Sequence, residues 1–210
     1  MENKLPLINI ARLRMETDGD GVTTLVASAG CPLSCKYCIN RPILERKDNV
    51  RMVSPEELLG MVRIDDLYFQ ATGGGIVFGG GESLLHAAFI RDFAKIMPKE
   101  WKLTVETSLN VPEDNLRLIM PFADYYIVDI KETDPEIYRA YTGVEGEQAY
   151  RNLRLLAECG LTEKVKVRVP LIPGYNTPED CRRSAERLQE IARFDKIDIF
   201  SYIIRERTDL

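Results

Sequence analysis

The chain has 210 residues, 45% of them apolar and 29% charged, with a formal net charge of −5. That is enough chain for one globular domain with a buried core, and the acidic balance argues against nucleic acid as the main partner, because phosphate binding needs a basic face. No run of about 18 apolar residues is present, so no transmembrane helix is expected. The N-terminal MENKLPLINIARLRME lacks the apolar core and small-residue cleavage site of a secretory leader, which makes the cytoplasm the expected location. Of five cysteines, three fall within eight residues, while Cys159 and Cys181 stand alone and far apart. A disulfide framework is not spaced this way, and in a reducing compartment clustered thiols read as metal ligands.

Residues 22–29 (VTTLVASA) are rich in β-branched side chains and predict a first strand, with the cysteine loop directly after it. Ser54 then precedes PEELLGMV, with Pro55 at the first helical position and Glu57 three residues after Ser54, which is a capping-box helix start. Residues 76–78 predict a second strand between glycines, and 82–96 a helix with Leu84, Leu85, Ala88 and Phe89 on one side. Residues 102–107 predict a third strand and 112–120 a short helix. Residues 125–130 (YYIVDI) read as a fourth strand, apolar enough to be buried on both faces. Helices follow at 135–140 and 149–158, with Gly160 where a helix stop belongs. A fifth strand covers 164–171, Thr177 caps a helix with acids in its first turn, and 196–202 give a sixth strand.

Strands alternating with helices imply a parallel sheet with right-handed crossovers. The fold expectation is therefore α/β, a partial (βα)6 barrel with the cysteine loop after the first strand. One domain is expected over residues 1–210, with a core of about 17–202 and no ferredoxin-like insert. In such sheets ligands gather at the carboxyl ends of the strands, and the cysteine loop, a glycine-rich loop, Glu106, Asp129 and Arg168 all fall there. Arg12, Arg14, Arg182, Arg183 and Arg187 read as solvated faces.

The cysteine loop is Cys31-Pro-Leu-Ser-Cys35-Lys-Tyr-Cys38. A structural zinc ion normally takes four protein ligands, but only three thiols are close here and the one histidine, His86, lies elsewhere. A four-iron cluster takes one ligand per iron, so three cysteines leave one iron open to bind a substrate or cofactor. A zinc site completed by Cys159 or Cys181 is the competing reading.

With these residues in view, the chain resembles the radical S-adenosylmethionine superfamily, and within it the pyruvate formate-lyase activating enzymes. Asp18-Gly19-Asp20-Gly21 is similar to that family's DGPG lead-in, and Asn40-Arg41 to the residues after its last cysteine. Gly79-Gly80-Gly81-Glu82 resembles its SGGE motif, residues 122–131 (FADYYIVDIK) its acidic strand, and Arg168 with Pro173-Gly174-Tyr175 its later basic strand and turn.

The resemblance implies a [4Fe–4S] cluster on Cys31, Cys35 and Cys38 that reductively cleaves S-adenosylmethionine to a 5′-deoxyadenosyl radical. It implies a cofactor cradle of Tyr37, Gly80, Gly81, Glu82, Glu106, Asp129, Lys131, Arg168 and Tyr202, with Arg168 on the methionine carboxylate. Glu106, Thr107 and Asp129 match acidic positions able to hold a monovalent cation, and Asp129 with Lys131 also reads as a simple ion pair. The implied partners are a glycyl radical enzyme as protein substrate and a flavodoxin or ferredoxin-type electron donor.

Three departures qualify the match. Asp20 stands where the lead-in has proline, Glu106 where aspartate is usual, and Ile203 where a histidine follows the sixth strand, leaving the adenine to Tyr202 or backbone. The sequence ends soon after the sixth strand, so a more open cleft is expected. A deazaguanine-synthase-like enzyme acting on a small molecule, and a non-catalytic metal or iron–sulfur binding module, are the alternatives.

Overall fold

Among the described residues, eight strands form one sheet in the structure, a computed structural model that describes residues 3–15, 18–45 and 50–202. At one edge, β1 (Leu5–Met15) runs antiparallel to β2 (Val22–Ser28), and β3 (Arg51–Val53) antiparallel to β1. From β2 onward, β4 (Gly75–Gly80), β5 (Lys102–Thr107), β6 (Tyr125–Asp129), β7 (Val165–Leu171) and β8 (Lys196–Ser201) pair in parallel and in chain order. Strand order without a reversal is that of a barrel, and because β3 and β8 are the two ends of the sheet the barrel stays open. All six expected parallel strands are present.

The helices between them are α1 (Arg41–Glu45), α2 (Pro55–Val62), α3 (Asp66–Thr72), α4 (Ala87–Ile96), α5 (Glu113–Ile119), α6 (Pro135–Thr142), α7 (Glu147–Glu158) and α8 (Pro178–Ile191). Ser54 and Thr177 form the capping boxes that open α2 and α8. The helix predicted over 82–96 begins as a 3-10 turn (Ser83–His86) before α4.

Strand alternation sorts the side chains. Leu103 and Val105 of β5, Tyr126 and Val128 of β6, and Val165 and Val167 of β7 join the core under the helices. The residues that alternate with them, Glu106, Asp129 and Arg168, go to the other face, inside the open barrel.

β1 carries no regular strand signal in the sequence. Its period-2 pattern is broken by a register shift between Ala11 and Arg14, where Leu13 takes a left-handed φ of 53°. Nor are Arg12 and Arg14 merely solvated. Arg12 donates to the buried Asp65 at 2.7 Å and to the Met61 carbonyl, and Arg14 pairs with the buried Asp18 of the lead-in loop. Among the described residues, no helix is long and apolar enough to cross a membrane.

The loop after β5 is held from behind. Asn152 of α7, fully buried, donates from Nδ2 to the carbonyls of Leu109 and Val111, both at 2.8 Å. Leu109 sits there with a φ of 57°, a backbone conformation that survives only where its surroundings enforce it. Asn152→Leu should leave two buried carbonyls unpaired and cost about 2–3 kcal/mol in urea denaturation; a loss near zero would show that the clamp is dispensable.

Candidate active site

The cysteine loop leaves the carboxyl end of β2 and is fastened on both sides. Ser34 and Lys36 donate their backbone N–H groups to the carbonyls of Thr142 (2.7 Å) and Tyr141 (3.2 Å), at the end of α6. On the other side it meets the end of β4. Gly81 N–H donates to Ser28 O at 2.9 Å and Glu82 N–H to Gly30 O at 2.7 Å. Asn40 Nδ2 donates to Gly80 O, and His86 Nε2 to Ala29 O, both at 2.7 Å.

This contact explains the glycines. A Cβ on Gly81 would lie 2.2 Å from Gly30 O, and one on Gly80, whose φ is +91°, would lie 2.7 Å from the Ala27 Cβ. Glycine lets two stretches of backbone close on each other here.

A cavity of about 180 Å³ opens beside the loop. Of the predicted site residues, Cys31, Cys35, Cys38, Gly80, Gly81, Glu82, Glu106, Asp129, Lys131 and Tyr202 line it, whereas Tyr37 and Arg168 do not. Leu33, Ile39 and Ser108 line it too, as does Asn40 of the Asn40-Arg41 pair that follows the last cysteine. Ser108 directly follows Thr107 at the acidic strand end, and that adjacency is the signal in the sequence. Ile203 lies outside the described residues.

Arg168 sits behind the wall. It donates from Nε to Asp129 Oδ1 at 2.6 Å and pairs through its other nitrogen with Glu106, while Lys131 Nζ donates to Asp129 Oδ2 at 2.9 Å. Burial alone would lower the pKa of both cations, but the carboxylates outweigh it and hold Lys131 and Arg168 above their ordinary values. For Asp129 burial acts upward, and Lys131 with Arg168 overcomes it, so its carboxyl stays below the usual range. Glu106 is pushed up by burial, with Arg168 opposing. Arg168 thus supplies positive charge between Glu106 and Asp129, and Lys131 adds a second cation on Asp129.

Glu82 is spoken for by the protein. Its Oε1 accepts from Thr107 Oγ1 (2.5 Å) and Leu84 N–H (3.2 Å), and its Oε2 from Ser108 N–H (2.8 Å) and Ser108 Oγ (2.6 Å). Tyr37 donates from its hydroxyl to Pro173 O at 3.2 Å, and its ring lies among those of Tyr141, Tyr175 and Tyr202, with centroids 5.9–6.4 Å away.

The three thiols suit a metal cluster. Burial pushes Cys31 up to about 11 and raises Cys35 as well, so their thiolates need a compensating positive charge of the kind bound iron provides. Neither Cys159, exposed at the end of α7, nor Cys181, buried against Pro170 O, lines the cavity, so neither completes a zinc site there. Among the described residues no three His, Cys, Asp or Glu side chains converge on a single metal ion. Three soft donors around a cavity would suit a four-iron cluster, which takes one protein ligand per iron and would keep one iron open.

The family model for the Radical SAM superfamily matches residues 25–188, and the chain belongs to that superfamily. Within it, the chain is an enzyme of the activating-enzyme type. It is 28% identical over 187 residues to the pyruvate formate-lyase-activating enzyme of Clostridium pasteurianum, covering 88% of this chain and 77% of that protein. It is 32% identical over 240 aligned positions to the isethionate sulfite-lyase activating enzyme of Desulfovibrio desulfuricans, covering 85% and 75%. In fold it is similar to Streptococcus suis SuiB bound to S-adenosylmethionine, with a TM-score of 0.67 at 14% identity over 88% of this chain and 41% of that one. Escherichia coli QueE gives a TM-score of 0.60 at 14% identity over 95% and 84%.

Glu82→Gln tests whether this carboxylate serves the fold or a ligand. An amide would turn N–H groups toward donors on one side, so thermal unfolding without any cofactor should show a loss of about 2 kcal/mol or more. An unchanged melting curve with impaired cofactor binding would assign Glu82 to the ligand instead.

Proposed function

We propose that this chain reductively cleaves S-adenosylmethionine and uses the resulting 5′-deoxyadenosyl radical to place a glycyl radical on a partner enzyme. The observation that carries the reading is the cavity where Cys31, Cys35 and Cys38 face Glu106, Asp129 and Lys131 at the carboxyl ends of the strands. When bound, the cluster supplies the electron that breaks the sulfonium C–S bond and an open iron for the methionine amino and carboxylate groups.

The chain's own residues then do three things. Cys31, Cys35 and Cys38 hold the cluster against the cavity, fixed by the α6 and β4 contacts. Lys131, next to the cluster loop, offers its ammonium to the methionine carboxylate, a charge-assisted contact. Arg168 acts one layer further out, keeping Glu106 and Asp129 oriented, and the reading needs no bound monovalent cation. Tyr202, which lines the cavity, is the side chain for the adenine. A sheltered cavity also keeps water and other quenchers from the radical.

That the hydrogen donor is a protein rests on the relatives, named as activating enzymes for pyruvate formate-lyase, isethionate sulfite-lyase and (2S)-3-sulfopropanediol dehydratase. A low-potential flavodoxin or ferredoxin is the proposed electron donor, and a single domain over residues 1–210 the proposed unit. Anaerobically reconstituted protein given dithionite and S-adenosylmethionine should form 5′-deoxyadenosine, and Cys35→Ala should form none. Adding the partner should then give a glycyl-radical doublet by electron paramagnetic resonance. Absence of 5′-deoxyadenosine from the wild type would end the enzyme reading; its formation without a doublet from any glycyl radical protein would redirect the search to a small-molecule substrate.

A further inference from the structure

A second buried carboxylate lies outside the cavity. Glu132, 1% exposed, follows Lys131 in the loop after β6. Its Oε1 accepts from the backbone N–H groups of Thr133 (2.7 Å) and Asp134 (3.3 Å) and from the hydroxyl of Ser184 on α8. Its Oε2 accepts from Asn176 Nδ2 at 3.0 Å. The same amide donates to Pro170 O at 2.9 Å, while Asn176 Oδ1 accepts from Ile172 N–H at 2.6 Å, so Asn176 closes the turn after β7 on itself.

That turn reaches the cysteine loop. Its Pro173 carbonyl accepts from the hydroxyl of Tyr37, which sits between Cys35 and Cys38, and its Tyr175 ring packs on Tyr37 and on Tyr141, with centroids 5.9 and 5.2 Å away. Lys131 lines the same cavity as Cys35 and Cys38. One hydrogen bond, Glu132 to Asn176, therefore joins the segment carrying Lys131 to the segment braced on Tyr37.

We propose that Glu132 is a positioning residue that sets the Lys131 wall of the cavity relative to the cysteine loop through Asn176. The proposal rests on the S-adenosylmethionine reading above. A local loop brace would need only the backbone donors of Thr133 and Asp134, and the Ser184 hydroxyl ties the loop to α8. The bond from Oε2 crosses between two loops, and it gives the carboxylate a role that a brace does not explain.

The chemistry of the pair supplies its test. In Glu132→Gln the amide oxygen can keep the three donors of Oε1, which turns the NH2 group toward Asn176 Nδ2, donor against donor. In Asn176→Asp two carboxylates face each other. In the double variant the new amide can donate to the new carboxylate, restoring the link at the loss of the bond to Pro170.

The variants are reconstituted anaerobically, and S-adenosylmethionine is titrated against the electron paramagnetic resonance signal of the reduced cluster, with thermal melting alongside. Each single variant should bind about tenfold more weakly, a loss of the size expected for one mispaired buried group, and the double variant should return to within about threefold of wild type. Lower melting temperatures with unchanged affinity in both singles would reduce Glu132 to a loop brace and overturn the proposal. So would a double variant no better than the singles. If Glu132→Gln does not fold, recovery of folding and affinity in the double relative to Asn176→Asp decides in the same way. A wild type whose signal ignores S-adenosylmethionine would instead overturn the reading on which the proposal rests.

Discussion

The site depends on how closely two strand ends approach. Where β2 and β4 finish side by side, Gly81 and Glu82 donate their backbone N–H groups to Ser28 and Gly30, at 2.9 and 2.7 Å. A Cβ at Gly81 would fall 2.2 Å from the Gly30 carbonyl oxygen, well inside contact distance, so the two backbones meet only because no side chain stands between them. The cysteine loop begins one residue after Gly30, and its position relative to the sheet is fixed by this seam. Glu82 leaves the same seam in the opposite direction, and its carboxylate gathers Thr107 and Ser108 from the end of β5. Three neighbouring strand ends are thereby tied together under one wall of the cavity.

The other wall is made by charge. Glu106, Arg168, Asp129 and Lys131 come from three adjacent strands and the loop that follows β6, and they form a chain of ion pairs with no net charge. Partly buried pairs of this kind contribute little beyond their desolvation, but removing one partner strands a charge and is strongly destabilising. Their service here is geometric: each carboxylate is held in one orientation before any ligand arrives, and Lys131 stays charged beside the cysteine loop. Arg168 is shared between two acids, which fits a residue acting through its neighbours more than one reaching the ligand.

Most of the fold could be read from the sequence because strands such as YYIVDI and helix starts such as Ser54 and Thr177 carry strong local signals. Strand β1, which lies between β3 and β2, could not, since its arginines and the bend at Leu13 break the alternation. At the site, cysteine spacing and a family resemblance marked the cavity residues. What spacing could not convey was which side chains were already engaged. Glu82 reads in sequence as a cofactor contact or a helix cap; it does cap the turn through Leu84 N–H, and its other donors come from Thr107 and Ser108, residues more than 20 positions away. Glu132 left no signal, because its partners Asn176 and Ser184 are 44 and 52 positions distant.

The central claim is that three thiols hold a four-iron cluster with one iron exposed to the cavity. Mössbauer spectroscopy of protein reconstituted with ⁵⁷Fe, recorded with and without S-adenosylmethionine, addresses it directly. The account predicts about four irons per chain, as three cysteines on a four-iron cluster require, and a change confined to one of them when S-adenosylmethionine is added. A single metal ion per chain, or a cluster whose irons all ignore S-adenosylmethionine, would contradict it.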